Sequence, residues 1–122
     1  MLYIRNQKPL RWTAHAKFKM NFYRLSAQRV RRVLASPKRI ESGIAPETIA
    51  MMQPVSVKWK MIKGESGSKS GKRKERWAQE IWVMLEETKE ERKVISAWRY
   101  PGMTKVGEPL PDAILDEIRE GV

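Results

Sequence analysis

With 122 residues the chain is long enough to bury one core unaided, and its lack of cysteine excludes a disulfide framework and a thiolate metal site. Twenty-five Lys and Arg against 14 Asp and Glu give a formal net charge of +11 and a pI near 10.2, a balance suited to a polyanionic partner. The longest uninterrupted apolar run, Ile81 to Leu85, falls far short of the about 20 residues that a helical membrane span requires.

The charge is unevenly placed. No Asp or Glu precedes Glu41, while Arg5, Lys8, Arg11, Lys17, Lys19, Arg24, Arg29, Arg31, Arg32, Lys38 and Arg39 all do. From Glu41 onward, fourteen basic and fourteen acidic residues cancel. A one-sign field opposes compaction by self-repulsion, and nucleic acid is the partner expected to offset it. Another anionic partner, or an ordinary soluble basic surface, is the alternative. Met1 to Leu10 is mixed and polar, without the apolar stretch of a signal peptide, so a cytoplasmic setting with no membrane contact is expected.

In chain order, residues 1–12 read as an irregular lead-in broken by Pro9. Thr13 is a good N-cap for a helix running to about Tyr23. Ala14, Phe18 and Phe22 fall on one of its faces, with Ala16, Met20 and Tyr23 roughly opposite, so burial on both sides is expected. Ser26 caps a second helix from Ala27 to about Ala35, which should bury Ala27, Val30, Val33 and Leu34 before Pro37 ends it. The period then becomes that of strands. Residues 38–44 predict a short strand, 43–46 a turn, and 48–53 a strand interrupted by Pro54. Val55, Val57, Trp59 and Met61 alternate with polar residues.

Residues 64–74, GESGSKSGKRK, read as a flexible hairpin tip. Strands over 77–86 and 94–100 look central, because apolar residues occupy both faces. The last strand should place Arg99 with Ile95 and Ala97, and Tyr100 with Val94, Ser96 and Trp98. Residues 103–122 read as an extension holding a short helix over 112–120. The whole predicts one α+β domain over 1–122. Two N-terminal helices pack on a three- to four-stranded antiparallel sheet, with a short C-terminal helix beside it.

Three groups of residues carry chemistry. His15 and Lys19 lie four apart on one helix edge and are therefore neighbours. A cation beside histidine disfavours its protonated form and leaves it free to accept a proton. RNA cleavage needs such an acid or base together with cations on the phosphate. A helix-edge histidine bonded to backbone is the plainer role. Arg99, at the end of the last strand, is a candidate stabiliser of phosphate charge or a solvated or salt-bridged edge residue. Arg29, Arg31, Arg32, Lys38 and Arg39 form a basic cluster expected to contact phosphate. Trp59, Trp77, Trp82 and Trp98 suit base stacking or, for most of them, core packing. The loop's GESGSKSGK lacks the spacing of a phosphate-binding P-loop, and no metal or cofactor motif is present.

The run His15-Ala16-Lys17-Phe18-Lys19-Met20, then Leu25-Ser26, Val30 to Leu34 and Pro37-Lys38-Arg39-Ile40-Glu41, resembles the bacterial family called domain of unknown function 4258. That family has a His-Ala-x-x-Arg-Met helix start, a Gly-Leu/Ile-Ser second start, an Asn-Pro-x-x-Ile-Glu turn and then a sheet. Lys93 to Tyr100 resembles its last strand, so the likeness covers roughly His15 to Tyr100. Lys19 stands where the family has Arg, and Tyr23-Arg24 where it has Arg-Gly. The family is likened to small toxin ribonucleases of the RelE, barnase and colicin type. The resemblance implies RNA cleavage without metal or cofactor, and an antitoxin or another protein is kept as a candidate partner. It gives His15 as acid or base, and Lys19 and Arg99 as stabilisers of phosphate charge. A non-catalytic RNA- or ribosome-binding module and a protein-interaction domain stand as alternatives, and the oligomeric state is left open.

Overall fold

The computed structural model describes residues 8–42, 47–61 and 73–105. Its elements are β1 (Leu10–Trp12), α1 (Ala14–Phe22), α2 (Ala27–Ala35), β2 (Arg39–Ser42), β3 (Thr48–Val55), β4 (Lys58–Met61), β5 (Arg73–Arg76), β6 (Gln79–Glu87) and β7 (Arg92–Pro101). The fold is α+β. Five strands form a mixed sheet in the order β1-β7-β6-β3-β2, and β4 pairs with β5 in a separate two-stranded sheet. Among the described residues no helix is long and apolar enough to cross a membrane.

Both helices begin where their caps dictate. The Thr13 side chain accepts from the Ala16 amide at 3.0 Å, and Ser26 Oγ accepts from the Arg29 amide at 3.0 Å. Thr13 also anchors α1 to the sheet, its hydroxyl donating to the Val94 carbonyl at 3.0 Å. At the other end, the Leu25 amide reaches back to the Met20 carbonyl at 2.8 Å, with Arg24 in the left-handed region at φ 56.

The helices cover one face of the sheet. Ala16, Met20, Leu25, Val30 and Val33 pack on Met51, Ile81, Val83, Leu85, Val94 and Ala97. The opposite face buries Ala50, Met52, Trp82, Met84, Ile95 and Trp98. Having two buried faces explains the unbroken apolar run of β6 at the sheet's centre.

Several expectations are corrected. The lead-in contains β1, which pairs parallel to β7 and makes the sheet five-stranded and mixed rather than antiparallel throughout. Three residues are too few to show strand periodicity. Pro54 lies inside β3 without ending it. The strand stops at Val55, where Ser56 turns at φ 55 and sends 58–61 to the other sheet. Arg73 and Lys74, read as loop, belong to β5. Phe18 and Phe22 are 66% and 68% exposed, so α1 is buried on one side only, and Ala27 is exposed. Between β6 and β7 the register shifts, with Leu85 opposite Val94 and Met84 opposite Ser96. Val94 therefore joins Ala97 on the helix side and Ile95 joins Trp98 on the other, the reverse of simple alternation. The expected turn at 43–46, hairpin tip over 64–72 and helix over 112–120 lie outside the described residues.

Candidate nucleic-acid interface

Gln53, Ile81 and Arg99 are register partners across β3, β6 and β7, so they form one row near the end of the sheet. Arg99 lies on the helix side of that row, its Nε donating to the Tyr23 carbonyl at 2.7 Å and its Nη2 to the Arg24 carbonyl at 3.4 Å. At the other end of the row Gln53 holds α2. Its Nε2 donates to the Ser36 and Arg32 carbonyls at 2.8 and 3.1 Å, and its Oε1 accepts from Arg29 Nη1 at 2.6 Å.

These bonds bring Arg29, Arg32 and Arg99 together. Burial first, then the charges of Arg32 and Arg99, hold the Arg29 guanidinium below its ordinary pKa. Among the described residues none of the three has a carboxylate partner, and exposed Arg24 adjoins them through its backbone. Guanidinium groups gathered without anions match phosphate, which they bind through paired N–H donors.

The remaining sequence-predicted cations scatter. Arg39 is 7% exposed, with Nη2 on Glu41 Oε2 at 2.7 Å, Nη1 on Thr104 Oγ1, and its guanidinium 5.5 Å over the Trp82 ring. It serves the far core, not the basic surface. The signal for this was the carboxylate of Glu41 two residues on, hence on the same strand face. Lys38 bonds Glu75 and stands 5.7 Å from the Trp77 ring centre. Arg31 stands 5.5 Å over Trp12. Arg11 and Lys8 reach Glu91 and Glu87 at 3.5 and 4.0 Å, so downstream acids neutralise part of the N-terminal charge.

His15 and Lys19 are half-buried on α1, Lys19 Nζ lying 5.5 Å over Tyr23 and His15 Nε2 being buried without a hydrogen-bond partner. Thr13 pins the start of α1 to Val94, whereas Arg99 holds its end. His15 therefore lies about 12 Å along the helix axis from Tyr23, which Arg99 bonds. Lys19 is one turn from Tyr23 and His15 about two, so Lys19 stands nearer than His15 to the helix end that Arg99 bonds.

Sequence reasoning missed Gln53 and Arg24. Gln53 was detectable as the polar member of the apolar series Ile49, Met51 and Val55 on one strand face. Arg24 gave no signal apart from standing where glycine would be at ease. Among the described residues no group of three or more His, Cys, Asp or Glu is placed to hold a metal. No family model, no curated protein and no solved structure matches this chain.

Proposed function

We propose that this chain is an RNA-binding, toxin-like domain that holds the sugar-phosphate backbone with Arg24, Arg29, Arg32 and Arg99. The observation carrying this reading is the Arg29–Arg32–Arg99 group, in which burial and then the two neighbouring charges lower the Arg29 pKa and which has no carboxylate partner among the described residues. A folded chain keeps such repulsion at a cost in stability, and a phosphate strand would offset it. RNA rather than DNA follows from the likeness of His15 to Glu41 to the toxin-related family.

Binding without cleavage fits the geometry better than catalysis. The buried Nε2 of His15, about 12 Å along α1 from the Tyr23 that Arg99 bonds, supports that choice. The test is the affinity for single-stranded RNA, measured by fluorescence anisotropy across a salt series. Affinity should fall steeply with salt, and Arg32→Gln and Arg24→Gln should each flatten the log–log slope by about one or less. Unchanged affinity in the double variant would overturn the reading. Cleavage of RNA in EDTA that disappears in His15→Ala would replace it with the endoribonuclease reading.

A further inference from the structure

The far side of the same sheet end holds a second feature that the arginine group does not use. A pocket of about 270 Å³ opens there, with Trp77 and Met103 as apolar walls and Lys38, Lys74, Arg76 and Lys105 at its rim. Its walls are fixed from behind. The fully buried Glu80 carboxylate accepts from Trp77 Nε1 at 2.9 Å and from the Thr104 amide at 2.9 Å, so one anion holds both sides. The Gly102 amide adds a bond to the Ala78 carbonyl at 2.8 Å. Glu75 is tied to Lys38. Lys74, Arg76 and Lys105 are exposed and, among the described residues, have no carboxylate partner.

We propose that this pocket receives one unstacked nucleotide of a bound single strand, its base against Trp77 and Met103 and its phosphate among Lys74, Arg76 and Lys105. The inference rests on the RNA-binding reading and extends it to a base-holding subsite. The pairing of wall and rim selects the ligand class. A bare anion would make no use of the indole, and an apolar ligand no use of the cations. An acidic peptide lacks the flat ring that lies on an indole face. A nucleotide has both a planar π-surface and an anionic phosphate on one short scaffold. Position supports the same occupant. Lys38 bonds the Met52 carbonyl at 2.7 Å through its amide, one residue from the Gln53 that holds Arg29. A strand leaving the arginines at this end of the sheet therefore meets the pocket rim next.

The experiment is a titration of the ¹⁵N-labelled full chain, following the Trp77 indole resonance, which is assigned by its loss in Trp77→Phe. The probes are uridine and adenosine monophosphate, each nucleoside alone, and pyrophosphate. The monophosphates should shift the Trp77 signal and the Lys105 amide, with nucleosides and pyrophosphate about tenfold weaker or more. Arg76→Glu should weaken the monophosphates by about tenfold while salt-dependent RNA binding through Arg24 and Arg32 persists. Two results overturn the pocket alone: RNA binding with no Trp77 shift at millimolar monophosphate, or pyrophosphate binding as well as the nucleotides. Loss of all RNA affinity at low salt sinks the reading beneath it, whatever the indole does.

Discussion

Arg99 donates its Nε–H to the carbonyl of Tyr23 across 2.7 Å, joining the last strand of the sheet to the end of the first helix. The carbonyls there have no intrahelical partner and carry the negative end of the helix dipole, so a cation is well placed. One guanidinium thus closes α1 and contributes to the arginine group proposed to hold phosphate. Lysine keeps the charge but lacks the planar fork that addresses two carbonyls together. Arg99→Lys should lower stability by about 1 kcal/mol in urea unfolding with the m-value unchanged. An unmoved midpoint would mean that the carbonyl contacts contribute nothing.

Arg24 is the residue whose backbone and side chain have opposed interests. Its φ of 56 is a left-handed conformation that costs a non-glycine residue about 1 kcal/mol, while its side chain adds a cation beside Arg99. Arg24→Gly should relieve the strain, partly offset by the added freedom of the unfolded chain, and stabilise by about 0.5 kcal/mol. The same change should weaken RNA binding. Thermal unfolding and anisotropy on one sample check both signs, and stabilisation without lost affinity would remove Arg24 from the interface.

Burial of Arg29, with the charges of Arg32 and Arg99 beside it, also fixes how stability responds to pH and to salt. A lowered arginine pKa means the folded state holds that proton less tightly than the unfolded chain. Stability linked to Arg29 therefore rises with pH, but only through the alkaline arginine range, and stays flat around neutrality where both states are charged. Screening is the practical probe. Added salt should raise the melting temperature of the free protein, and Arg29→Met should reduce that salt response. A melting temperature that falls with moderate salt would contradict the repulsion.

What was legible in the sequence was what is local. Thr13 and Ser26 announced both helix starts because an N-cap acts on amides three residues away. The apolar run of β6 announced a central strand because both its faces are buried. What depended on distant partners was not legible. β1 exists only by pairing with β7, and the shifted register at Val94 and Ile95 reversed the expected faces. The arginine group formed the same way. Arg29 and Arg32 were visible as a helix cluster, but only the row from Gln53 through Ile81 brings Arg99 to them. Arg39 left that cluster because β2 turns it toward Trp82.

The far face offers the sharpest test of the fold itself. Glu80 is 0% exposed, yet its carboxylate accepts four hydrogen bonds. Trp77 Nε1 and the Thr104 amide donate to Oε2 at 2.9 Å each, and Trp82 Nε1 and the Thr104 hydroxyl to Oε1 at 3.0 and 2.8 Å. Thr104 in turn accepts from Arg39, which ties the cation to the carboxylate through one hydroxyl. Every donor is already committed, so the acceptor can be changed but not replaced. Glutamine has one oxygen where the carboxylate has two, and its amide NH2 would face either the Trp77 and Thr104 N–H donors or the Trp82 N–H and the Thr104 hydroxyl, according to how it is turned. Buried donors left without acceptors cost about 1–3 kcal/mol each, more where a charge was involved. Glu80→Gln should therefore destabilise by about 3 kcal/mol, and Thr104→Val by less, because the indole bonds survive it. Chemical denaturation of the two variants checks the order. Glu80→Gln should also broaden the Trp77 indole resonance, since the ring loses its anchor, while Arg24 and Arg32 on the opposite face continue to bind RNA. Equal stability of Glu80→Gln and the native chain would show that this network does not hold the far face together.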